Sequence, residues 1–163
     1  SLNDLPHVSA FPVGLGEAPG QASVLSVDKF NSGMHRIVPD RSGGAQPADT
    51  IELTTLDSVC ERHGLDRLDW VKIDVEGYEL KVLRGGLRAL EELKPRLFIE
   101  VDDAHLRDQG DSADALLGEL DRLGYGMVDA VTGTPVIPGV GEVPAHFDVV
   151  CTPAAHRPDA SSL

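Results

Sequence analysis

WVKIDVEGYELKVLRGG, residues Trp70 to Gly86, changes character halfway along. Trp70 to Ile73 is a short β-rich run, whereas Leu80, Leu83, Leu87 and Leu90 recur at i, i+3, i+7 and i+10, the stripe of an amphipathic helix. A strand feeding straight into a helix is the repeating unit of an α/β fold. Between the two lie Asp74, Glu76 and Gly77. Asp74 falls inside the apolar run, which marks it for a site rather than for capping. Strand alternation sets Lys72, Asp74 and Glu76 on one side, with Lys72 as the counter-charge. Glu79, in the first helical turn, reads as a cap or a partner of the helix dipole. Gly77 turns the backbone tightly into the helix. Gly85 and Gly86 bend or split that helix, each costing ~1 kcal/mol relative to alanine.

Working outward, TIELTTLDSVCERHGL opens as a short strand on Ile51 and Leu53. It then becomes a helix capped by Thr54 or Thr55 and stopped by Gly64. With helices on both sides, WVKID reads as a parallel strand buried on both faces. RLFIEV (Arg96 to Val101) is the next strand, and Asp111 or Ser112 caps a helix with the stripe Leu116, Leu117, Leu120 and Leu123. YGMVDA, TPVI and HFDVVC supply late strands, at least two of them pairing antiparallel. Upstream, HVSAFPV (His7 to Val13) and ASVLSV (Ala22 to Val27) read as strands joined by the turn GLGEAPGQ, and Asn31 to Asp49 as a long loop. The expected fold is an α/β domain with an open, mostly parallel, Rossmann-like sheet, crossover helices and a late antiparallel strand pair.

In such a sheet, ligands bind beyond the carboxyl ends of the strands. Two strands finish there in acids, one with Asp74 and Glu76, the other with Glu100 followed by Asp102 and Asp103. As neighbours, these strands would bring the carboxylates into one crevice. Clustered oxygens also suit Mg²⁺ or Ca²⁺, but no loop has calcium-ligand spacing, and no metal is expected. GLGEAPG lacks the spacing and the following helix of a dinucleotide fingerprint and reads as a hairpin turn. His35 and His105 fall in loops as candidate acids or bases, with solvated side chains as the plainer reading. Cys60 has no identifiable base partner to make it a nucleophile.

At 163 residues, 41% hydrophobic and 25% charged, the chain has the composition of one soluble domain. A formal net charge of -13 argues against nucleic acid and anionic membrane as partners. No apolar run approaches a membrane span, and no signal segment opens the chain. The two cysteines, Cys60 and Cys151, read most simply as buried reduced thiols of a cytoplasmic protein, with a disulfide between them as the alternative.

The ordered set TLDSV, DWVKIDVEGYELKVLRGG and KPRLFIEV, over roughly residues 7 to 130, resembles the C-terminal part of an FkbM-type methyltransferase. That resemblance implies S-adenosylmethionine as cofactor, a Rossmann-like sheet, and O-methylation of a hydroxyl on a sugar or natural-product-type small molecule. It implies that Val13 and Gly14 contact the cofactor and that Asp74, Glu76 and Glu100 line the methyl-transfer site. Asp74 is the first candidate to orient the substrate hydroxyl or accept its proton, then Glu76. Asn31, Ser32, Gly33 and His35 match a substrate-facing loop. It also implies that an earlier strand and glycine-rich cofactor loop are absent, leaving the sheet incomplete on its N-terminal side. Residues 1–152 would then be the C-terminal part of the domain, 153–163 a flexible tail, and the missing half a partner. The rival expectations are a non-catalytic module that kept the fold and a hydrolase using a divalent metal.

Overall fold

The computed structural model describes the backbone of residues 7–26, 35–38, 49–141 and 143–154, and the side chains of these except 25, 26, 35–38 and 49. In chain order the first elements are β1 (Val13–Leu15), β2 (Gly20–Ser26), β3 (His35–Val38), β4 (Asp49–Thr54), α1 (Leu56–His63) and β5 (Trp70–Ile73). There follow α2 (Glu79–Arg84), α3 (Leu87–Leu93), β6 (Arg96–Asp102), α4 (Asp103–Asp108) and α5 (Ala113–Arg122). The chain closes with β7 (Tyr125–Asp129), β8 (Pro135–Val136) and β9 (His146–Pro153).

Among the described residues the strands form two sheets, ordered β1-β4-β2-β3 and β5-β6-β9-β7-β8. In the first, β1 and β4 run parallel while β2 pairs antiparallel with both β4 and β3. The expected hairpin at GLGEAPG is therefore not formed, because β4 lies between the strands that this turn connects. Nor is HVSAFPV a strand. The ladder begins only at Val13, after Pro12, whose ring nitrogen has no hydrogen to donate. The stretch expected as one long loop contains β3.

In the second sheet β5 and β6 are parallel, and β6, β9, β7 and β8 pair antiparallel in turn. So β5, β6 and β7 share a direction, with β9 reversed between β6 and β7. The expectation of a mostly parallel sheet fails here. The last strand returns into the sheet and converts two would-be parallel neighbours into antiparallel ones. The late antiparallel pairing is present, and it involves β7, β8 and β9 together.

Period-two burial fixes which face is core. Leu97, Ile99 and Val101 of β6 and Val149 and Cys151 of β9 are fully buried, while Phe98, Glu100, Asp148 and Val150 between them are only half-buried. Leu80, Leu83, Leu90, Leu116, Leu117 and Leu120 pack into the same core, each worth about 1.5–3 kcal/mol of transfer free energy. The strand β5 is not buried on both faces as expected. Ile73 is buried and Val71 half-buried, but Trp70 and Lys72 are exposed, because the register places Lys72 opposite Phe98 on the half-buried face.

Local signals behave as the sequence predicts at the helix ends. Thr55 caps α1 by accepting from Ser58 N–H at 3.0 Å, and Gly64 closes it in the left-handed conformation, φ 60°. Ser112 caps α5 through Ala115 N–H at 3.2 Å. Gly85 and Gly86 split the helical stripe into α2 and α3. A Cβ on Gly85 would overlap the Gly16 carbonyl oxygen beyond β1, so the split seats the first sheet against the helices. Cys60 and Cys151 are free and buried, and burial pushes the Cys151 thiol up to about 12.

Candidate functional site

The segment between β5 and α2 is built around one carboxylate. Glu79 is 2% exposed, and its Oε1 accepts the N–H groups of Val75 and Gly77, each at 3.1 Å. Its Oε2 has no hydrogen-bond partner. Glu79 thus folds the preceding loop back over the helix start, more than it compensates a helix dipole. The loop it pins is strained: Glu76 lies at φ 54°, a region non-glycine residues seldom enter, and Gly77 at φ 97°. A Cβ on Gly77 would overlap the backbone carbonyl of His105 in α4, so only glycine lets loop and helix meet. Burial raises the Glu79 carboxyl above the usual range, against the lowering pull of its two amide donors.

That packing places the predicted acids beside the far ends of β5 and β6. Asp74 Oδ2 sits 2.8 Å from Lys72 Nζ, in an exposed pair. Glu76 Oε2 lies 3.0 Å from His105 Nδ1, at ion-pair distance but out of line for a hydrogen bond. Glu100 follows the half-buried face of β6, 3.6 Å from His146 Nε2. Burial raises the Glu100 carboxyl, and the negative charges of Asp74, Glu76 and Glu79 raise it further, against the pull of His146. These acids therefore share one electrostatic neighbourhood, as neighbouring strands require.

Asp102, the last residue of β6, is the hub of the arrangement. Its Oδ1 accepts from His105 N–H at 3.0 Å, capping α4, and its Oδ2 lies 3.1 Å from His146 Nδ1. Burial works to raise Asp102, but the hydrogen bonds from His105 N–H and His146 outweigh it and hold the carboxyl below its ordinary value. The hydrogen bond to Asp102 raises His146, slight burial opposes this, and the charge of Glu100 adds to the rise. Lys72 is likewise raised by its hydrogen bond to Asp74, with Asp148 and Glu100 contributing.

The other predicted residues stand apart from this cluster. Val13 and Gly14 lie on β1 of the other sheet, opposite Glu52 and Leu53, and the space a Gly14 side chain would take is filled by Leu53. Asn31, Ser32 and Gly33 lie outside the described residues. His35 begins β3, but its side chain is not among those described. Among the described residues, two clefts of about 310 and 510 Å³ contain none of Asp74, Glu76 and Glu100. The larger is bordered by Asp103, Arg107, Val143 and Ala145, next to the Asp102–His146 pairing. Among the described residues, no three His, Cys, Asp or Glu side chains gather to hold a metal ion.

Sequence reasoning set Glu79 aside as a cap and missed His146. Asp102 was legible, standing two residues beyond Glu100 on the same side of the strand. His146 carried no signal, because its meeting with Asp102 depends on the β6–β9 register, which pairs Asp102 with His146 across the sheet.

No helix among the described residues is long and apolar enough to cross a membrane. Neither the curated proteins nor the solved structures yield a match to this chain. Residues 5–127 match the methyltransferase FkbM domain, well over half of the 163 residues and including the β5 acids and Glu100. On that match the chain belongs to the FkbM methyltransferase domain family.

Proposed function

We propose that this chain takes part in S-adenosylmethionine-dependent O-methylation of a hydroxyl on a sugar or natural-product-type small molecule. The observation that carries the reading is the grouping of Asp74, Glu76 and Glu100 at one sheet edge in a member of this family. The donor set fits the cofactor's chemistry: carboxylates outnumber cations at this edge, which favours a sulfonium and disfavours an anion. Val13 and Gly14, on the first sheet, would contact it as the resemblance implies, and when bound it supplies the methyl group. Asp74 and Glu76 orient the substrate hydroxyl, and Glu100 lines the pocket. Such positioning lowers the barrier by holding oxygen and methyl carbon in line.

The test is calorimetric titration of the chain with S-adenosylmethionine, followed by transfer of its labelled methyl group to a panel of sugars and hydroxylated small molecules. Binding at micromolar concentrations with label on an acceptor oxygen is expected. Absence of both from this chain and from a longer parent chain would favour the non-catalytic module. A melting midpoint raised by Mg²⁺ or Mn²⁺ would instead favour the metal-dependent hydrolase.

A further inference from the structure

We propose that His146 Nε2 accepts the proton of the substrate hydroxyl, with Asp102 as the positioning residue that orients the imidazole; this rests on the methyl-transfer reading above. Asp74 and Glu76, which orient the hydroxyl, each face a basic side chain and are poorer proton acceptors for it. Asp74 Oδ2 is bound to Lys72 Nζ at 2.8 Å, and Glu76 Oε2 faces His105 Nδ1 at 3.0 Å. Glu79 is 2% exposed and out of reach of a solute. His146 differs, with a side chain 60% exposed and one ring nitrogen anchored. A carboxylate only accepts, so the neutral ring donates Nδ1–H to Asp102 Oδ2 at 3.1 Å and leaves the Nε2 lone pair free. Asp102 is itself held by His105 N–H at 3.0 Å, so the anchor does not swing. A base oriented by a half-buried carboxylate is an arrangement suited to proton removal from a hydroxyl.

The step balances. The substrate oxygen gains a C–O bond as the bond between methyl carbon and sulfur breaks, the electron pair leaving with sulfur. The hydroxyl proton passes to Nε2 and then to water. Once protonated, the ring lies between Asp102 and Glu100, whose Oε1 is 3.6 Å from Nε2. The charged groups around it are Glu100 and Asp102 on β6, Asp148 on β9, and His105 on α4 beyond Asp102. Lys72, Asp74 and Glu76 act one layer further out, on Glu100 and Asp148. The hydrogen bond to Asp102 leads in holding the ring above the ordinary imidazole range, so the accepting form fills as pH rises through that raised point.

Imidazole nitrogen and proton resonances of the 15N-labelled chain, followed across pH, test this in wild type, D102N and H146Q. The neutral His146 ring is expected to carry its proton on Nδ1. In D102N, whose asparagine can still cap α4, the titration midpoint is expected to fall by about one unit, the scale of a lost charge-assisted hydrogen bond. A wild-type ring protonated on Nε2, or a midpoint unmoved in D102N, overturns the proposal. With S-adenosylmethionine and an acceptor, H146Q is expected to lose about 10²-fold in kcat while cofactor affinity and melting midpoint hold. The rising limb of the wild-type pH profile should move to lower pH in D102N. Wild-type turnover in H146Q also overturns it. A wild-type chain, and a longer parent, that bind no S-adenosylmethionine and label no acceptor would overturn the methyl-transfer reading itself, and the Nδ1 or Nε2 position of the proton still decides whether His146 presents a free basic nitrogen.

Discussion

Asp74 and Glu79 stand five residues apart and do opposite things with the same chemistry. Asp74 is half-exposed at the surface, with its Oδ2 paired to Lys72. Glu79 is sealed in and serves the backbone. On the proposed function, Asp74→Asn keeps the shape but loses the charge. Turnover should fall about 10²-fold while S-adenosylmethionine affinity and the melting midpoint hold, and wild-type turnover would remove Asp74 from the site. Glu79→Gln has a different signature. Glu79 titrates above its unfolded value, so its contribution is fully present below the unfolded range and is lost as pH rises through the raised value. Relative to wild type, Glu79→Gln should therefore gain stability as pH rises above the ordinary carboxylate range, read from paired thermal melts. A constant difference would show that the carboxyl is not raised.

At the scale of elements, the site depends on how closely the β5–α2 loop approaches α4. Gly77 has both a positive φ and no room for a Cβ against the His105 carbonyl. Gly77→Ala should destabilise the fold by roughly 2–4 kcal/mol, strain and overpacking together, measured by urea unfolding. A loss under about 0.5 kcal/mol would mean that the loop relaxes without α4 and that the acids are not held as described. Behind the same loop, Lys81 Nζ reaches Asp111 Oδ2 at 2.5 Å and the Gln109 carbonyl at 2.9 Å, tying α2 to the turn before α5. Asp103 fastens α4 to α5 by accepting from Ala113 N–H at 2.9 Å.

For the molecule as a whole, 27 acids against 14 basic residues leave a formal charge of -13, and several acids share one sheet edge. Self-repulsion of this kind is screened within about 8–10 Å at moderate salt. The melting midpoint should therefore rise as NaCl is added up to roughly 0.3 M, where screening outweighs the loss of exposed ion pairs such as Arg67–Asp69. A midpoint that falls with salt would show that attractive pairs dominate. The second sheet carries its core on one face and Lys72, Glu100, Asp102, His146 and Asp148 on the other, so repulsion among the acids can be screened without disturbing the leucine core.

Local chemistry was readable directly from the sequence. Caps at Thr55 and Ser112, the stop at Gly64, the leucine stripes and the acids at the ends of β5 and β6 follow from short-range periodicity and from where the turn residues fall. The grouping of Asp74 with Glu100 followed from making those two strands neighbours. What the tertiary structure alone decided was everything set by pairing between distant segments: β4 between β1 and β2, β9 between β6 and β7, and through that last register the meeting of His146 with Asp102. Glu79 belongs there too, since its burial comes from the packing of the loop against α4 and not from its place in a helical turn. Period and propensity act over a few residues, whereas strand order is chosen by the burial of whole faces, which no single stretch of chain encodes.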